Sequence, residues 1–129
     1  MPGLNIPGFP TSASRGHAAT VPHSHECGDV PVPWNVGIPV FRFRAPCVMS
    51  LSSPTIYCRE VVSPSGNPVI LEVWKNGEFC GEMELKHGPT QFDKSMALAP
   101  LDLIELRMVI RGSGFGETFA NDLWVMFTT

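Results

Sequence analysis

The chain has 129 residues, 43% of them hydrophobic and 16% charged, with 13 prolines, 12 glycines and a formal net charge of −3. A composition this close to the globular average excludes a fully disordered or collagen-like chain and sets one small domain as the expectation. Lys and Arg are scattered singly, so the clustered basic surface that phosphate neutralisation needs is missing and no nucleic-acid partner is expected.

Proline placement divides the chain at residue 39. Residues 1–39 hold Pro2, Pro7, Pro10, Pro22, Pro31, Pro33 and Pro39 but only Arg15, Glu26 and Asp29 as charged side chains. Proline removes a backbone donor and fixes φ, which excludes a long helix or an interior strand and leaves an extended arm. Solvated linkers carry more charge and fewer large apolar groups. An arm with Leu4, Ile6, Phe9, Val30, Val32 and Trp34 is therefore expected to lie on its own body or on a partner. The opening Met1-Pro2-Gly3-Leu4-Asn5 carries no basic leader followed by an apolar run, so no secretion signal is expected. No apolar stretch is long enough to span a bilayer, so no membrane partner is expected either. Synthesis in a reducing cytoplasm follows, and the cysteines agree. Cys27, Cys47, Cys58 and Cys80 form no Cys-x-x-Cys pair, and Cys47, Cys58 and Cys80 read as small hydrophobes within strands.

From Val40 the period changes to two, the strand signal. Phe41-Arg42-Phe43-Arg44 alternates apolar and basic, Pro46 ends it, and residues 47–51 start a second short run. Residues 56–62 are β-branched and aromatic, and Ser63-Pro64-Ser65-Gly66-Asn67-Pro68 is a turn by composition. Residues 69–74 and 79–85 flank Lys75-Asn76-Gly77-Glu78, where Asn-Gly suits the positive φ angles of a type I′ turn, so a tight hairpin is predicted. In its return strand Phe79, Gly81, Met83 and Leu85 are expected on one face. His87-Gly88-Pro89 breaks that strand, and residues 93–98 alone suit a helical turn. Residues 103–111 alternate again, Gly112 to Gly116 form a loop, and residues 123–128 make a last strand containing Trp124. Short strands spaced by turn signals predict an all-β protein, an antiparallel β-sandwich or jelly roll over residues 40–129 with the extended N-terminal arm of residues 1–39.

The order of features from Phe41 to Phe127 resembles a small β-sandwich domain of tailed-bacteriophage virion proteins. The residues that carry it are Phe41-Arg42-Phe43-Arg44-Ala45-Pro46, the run from Val62 through Pro64-Ser65-Gly66 and Asn76-Gly77, and Leu101-Asp102-Leu103-Ile104-Glu105-Leu106 before a Gly-rich loop. The family occurs in tail fibres, baseplate-associated proteins and capsid surface proteins, often as trimers. The resemblance implies a non-enzymatic virion protein assembled in the host cytoplasm, a homotrimer whose partners are the major capsid protein or neighbouring virion proteins. This chain lacks a long fibre shaft, and with its arm it is more similar to a capsid decoration or cement protein. The alternative is a tail or fibre-tip protein binding host glycan or neighbouring tail proteins.

His23 and His25 alternate at strand spacing within His17-x5-His23-Ser24-His25-Glu26-Cys27, which sets both imidazoles to one side. They are the candidate metal ligands, completed by symmetry copies, with solvated arm residues as the alternative. No other cofactor is expected. Glu82 with Glu84, or Glu60 with Glu72 across strands, are the carboxylate pairs an acid–base hydrolase would use. Alternating Glu on a solvent face is the ordinary cause, and with no nucleophile constellation or phosphate loop no enzyme and no catalytic residue is expected. Trp74 and Trp124 are candidates for glycan stacking or for packing at a core or subunit interface. Arg42, Arg44, Arg107 and Arg111 are expected to form one charged face or to pair with nearby glutamates.

Overall fold

Asn76 and Gly77 take positive φ angles of 51° and 81°, the conformation that Asn-Gly enters at least cost, and the hairpin predicted there forms. The computed structural model describes residues 21–112, 114 and 116–129. Its strands are β1 (Pro22–Val32), β2 (Ile38–Arg44), β3 (Met49–Leu51), β4 (Thr55–Val62), β5 (Val69–Lys75), β6 (Glu78–Glu84), β7 (Gly88–Gln91), β8 (Met96–Leu98), β9 (Leu103–Ile110) and β10 (Thr118–Thr128).

Two four-stranded sheets form, in the orders β1-β10-β4-β7 and β2-β9-β5-β6, and β3 pairs with β8 as a small annex. Every pairing between strands is antiparallel. The chain crosses repeatedly from one sheet to the other, and this winding defines a jelly roll. The all-β sandwich expected from periodicity is the fold observed.

Register fixes which side chains meet. Phe41, Leu106 and Val73 stand in one row across the second sheet and face inward, while the neighbouring row, Arg42, Glu105 and Trp74, faces outward. Ile56, Cys58, Leu123 and Val125 of the first sheet pack with Val69, Leu71, Met108 and Ile110 of the second to form the core.

Residues 22–39, assigned by proline content to the arm, lie in the body. β1 pairs along its length with β10, Val30 and Val32 are buried in the core, and the boundary at residue 39 falls inside β2. Pro22, Pro31 and Pro39 are compatible with this because β1 and β2 are edge strands, where a missing donor interrupts no ladder. Residues 1–20, with Leu4, Ile6, Phe9 and His17, lie outside the described residues.

Three other expectations change. Residues 96–98 are strand β8 rather than a helical turn, held by pairing with β3. The last strand begins at Thr118, earlier than expected. In β6 a bulge between the pairs Val73–Gly81 and Trp74–Phe79 inserts Cys80, which turns Phe79 to the outer face against Trp74 while Met83 stays inward. A similar slip in β10 hides its period. Asp122 adopts φ 56°, so burial runs through Thr118 and Ala120 and then shifts to Leu123, Val125 and Phe127.

All four cysteines are free. Cys58 is buried as a hydrophobe, and burial pushes its thiol pKa up. Cys80 sits half-buried in the bulge, whereas Cys47 is exposed and does not fill the core.

Candidate functional site

His23 and His25 do share one side of β1, as their spacing predicts, and there they meet phenyl rings. His23 stacks on Phe127 at 4.8 Å between centroids, with Nε2 3.1 Å from the Thr129 hydroxyl. His25 meets Phe41 edge-on at 5.1 Å. Among the described residues no cluster of three or more His, Cys, Asp or Glu is placed to hold a metal ion.

Trp74 lies on the outer face of the second sheet, half-buried, in the middle of a chain of ion pairs. Arg42 Nε is 2.7 Å and Arg107 Nη2 2.8 Å from the Glu105 carboxylate. The Arg107 guanidinium lies 4.3 Å above the Trp74 ring, and Trp74 Nε1 donates to Glu72 at 3.1 Å. Arg111 then bridges Glu72 and Glu82. Arg42, Arg107 and Arg111 therefore pair with glutamates, whereas Arg44 donates to the Leu101 carbonyl. Hydrogen bonding from Arg107 holds the nearly buried Glu105 carboxyl below the usual carboxylate range, and Arg111 does the same for Glu82. A carboxyl held low stays ionised, the wrong state for a general acid at neutral pH. Glu60 and Glu72 belong to different sheets, so the pair expected across strands does not form.

Trp124 lies half-buried on the outer face of the first sheet, between Glu26 and Tyr57 in register, its Nε1 donating to Asp122 at 2.8 Å. Neither tryptophan is in the core. Each presents an indole edge fixed by a carboxylate two residues away.

Trp34 instead contributes to a concave site that the sequence does not reveal. An apolar cleft of about 370 Å³ opens at one end of the sandwich, lined by Pro31, Val32, Pro33, Trp34 and Ile38 on one side and residues 116–119 on the other. Asn35 N donates to Ile110 O at 2.7 Å, and Ile110 N donates to Pro33 O at 3.1 Å. The Asn35 side chain adds a reciprocal pair with the Gly112 backbone, at 3.0 and 3.1 Å. These bonds hold the turn that carries Trp34. Gly114 passes so close that a Cβ there would stand 2.6 Å from the indole, so only glycine fits. The hydroxyl of Thr118, which borders the cleft, is buried with no hydrogen-bond partner. The signal missed in the sequence is that the turn at residues 33–37 meets Gly112, Gly114 and residues 116–119, which come together only once β2 and β9 are paired.

The opposite end carries both the start of the described chain and the C-terminus. Val21 and Thr129 exchange backbone hydrogen bonds at 3.1 Å in each direction.

These features define an eight-stranded jelly-roll sandwich with tryptophan-bearing outer faces and an apolar cleft at the end that carries Trp34. The fold is similar to that of the infectious bursal disease virus VP2 subviral particle, with a TM-score of 0.60 at 12% identity over 99% of this chain. It is also similar to the structure of the Gx strain of that virus, with a TM-score of 0.51 at 13% identity over 99% of this chain. This chain spans 37% and 36% of those proteins respectively. No protein-family model matches the sequence, and no curated protein matches it.

Proposed function

We propose that the chain is a non-enzymatic virion structural protein, a capsid decoration or cement protein of a tailed bacteriophage that attaches to the shell of the major capsid protein. The observation that carries this is the fold: nearly the whole chain aligns with a jelly roll in a viral particle protein. The phage-like order of Phe41 to Pro46, the Pro-x-Gly turn and the Asn-Gly hairpin supports the finer assignment.

The attaching segment is residues 1–20. Val30 and Val32 fill this chain's own core and are unavailable to a partner, which leaves Leu4, Ile6 and Phe9 of the expected contact set. Trp34 is fixed in the end cleft. Contact of those side chains with a shell gains from the apolar area it buries, at roughly 25 cal/mol per Å².

Cosedimentation with capsids lacking the protein tests this. The full chain is expected to pellet with the capsids, and the triple variant Leu4→Ser, Ile6→Ser, Phe9→Ser to stay in the supernatant. Equal pelleting of the two would refute attachment through residues 1–20.

A further inference from the structure

We propose that copies of this chain associate head to tail, the exposed Val48 and Leu101 of one copy seating in the Trp34 cleft of the next. The two surfaces lie at opposite ends of the same strand. Ile38, at the start of β2, lines the cleft. Arg44, at its end, holds Leu101 by donating from Nη1 to the Leu101 carbonyl at 2.9 Å. One molecule therefore presents both parts and cannot fill its own cleft with its own knob.

The knob is built rather than accidental. Val48 is 77% and Leu101 67% exposed, the largest values among the large apolar side chains of the described residues. Leu101 has φ 71°, a left-handed conformation that costs a leucine energy and that glycine or asparagine would adopt readily. Several bonds keep it there. Leu101 N donates to Ala45 O at 2.7 Å, and the carboxylate of the adjacent Asp102 accepts from Ala99 N at 2.8 Å and Asn76 Nδ2 at 2.9 Å. Val48 immediately precedes β3, whose partner β8 leads into the Leu101 turn. A strained residue that is both exposed and fixed by its surroundings contributes nothing to the core of its own chain, and such strain marks contact sites.

The cleft offers what this knob lacks. Pro31, Pro33, Trp34, Ile38 and Phe119 give it an apolar wall. Charge matches as well: exposed Glu117 borders the cleft and exposed Arg44 stands beside the knob. A contact between different surfaces of identical copies is heterologous, so it repeats into a ring or an open chain instead of stopping at a two-fold dimer. It involves only described residues of the sandwich and does not require the capsid attachment proposed above.

Sedimentation velocity on the purified full chain tests it. Leu101→Gly strips the leucine from the knob while keeping the left-handed turn, and Pro31→Glu places a charge on the cleft wall at an exposed edge position. Wild type is expected to form species larger than a dimer as concentration rises, and each variant alone to remain monomeric with an unchanged circular dichroism spectrum. An equimolar mixture of the two variants is expected to form dimers and nothing larger, because one intact knob then meets one intact cleft. Monomeric wild type at every concentration, association of Leu101→Gly equal to that of wild type, or a mixture that stays monomeric would each overturn the proposal.

Discussion

Removal of residues 1–33 is expected to abolish the cooperative thermal transition, whereas removal of residues 1–20 leaves it within a few degrees of the full chain. The shorter deletion ends before Val21, so the whole β1–β10 ladder survives. The longer one removes β1 and exposes the edge of β10. It also deletes Val30 and Val32, which are buried against the core and contribute about 1.5–3 kcal/mol each. Against a total stability of about 5–15 kcal/mol for a domain, that loss and the unpaired ladder together leave no stable sandwich. Circular dichroism melting of both truncations decides the matter. A folded 34–129 fragment would show that β1 is an appendage and would return residues 21–33 to the arm.

Leu106→Ala is expected to lower stability by about 2–5 kcal/mol, and with it Tm by more than about 10 °C. Leu106 is 2% exposed on β9, the strand that joins β2 to β5, and it stands in register between Phe41 and Val73. Neighbouring backbone is pinned on both sides by ladders, so the cavity cannot collapse easily. Val36→Ala, at a residue 59% exposed in the loop after β1, supplies the control and is expected to change stability by less than about 0.5 kcal/mol. Urea unfolding of the two variants measures both. Equal losses would show that the packing described for the second sheet is wrong.

The parts of the fold legible in the sequence are those set by local chemistry. Asn76-Gly77 specifies its turn through two positive φ angles, and the alternation of Ile104, Leu106, Met108 and Ile110 shows which face of β9 meets the core. What was hidden arises from long-range pairing. Proline content assigned residues 22–39 to an arm because an edge strand tolerates proline, and edge position is a property of the assembled sheet. The start of β10 was concealed by the slip at Asp122, and the orientation of Phe79 by the extra residue at Cys80. β8 is too short to show a period and exists through its pairing with β3.

The site was less legible than the fold. His23 and His25 were placed correctly on one side of a strand, yet their neighbours Phe127 and Phe41 come from β10 and β2 and could not be read from spacing. Trp74 was visible as an aromatic before a hairpin, but its seat between Arg107 and Glu72 depends on the register of β5 against β9. The end cleft needs loops far apart in sequence, and its residues Val32 and Trp34 drew notice only as parts of an arm. Pairing of glutamates with Arg42, Arg107 and Arg111 was one of the two arrangements that the alternation allowed, and the burial of Glu105 beneath them depends on sheet register.

The measurement that bears most directly on the central claim is immunogold labelling of purified phage particles with antibodies raised against the whole chain, imaged by electron microscopy. Label spread over the head at regular spacing is the result predicted for a decoration protein. Label confined to the tail or its tip, or particles with no label at all, would contradict it.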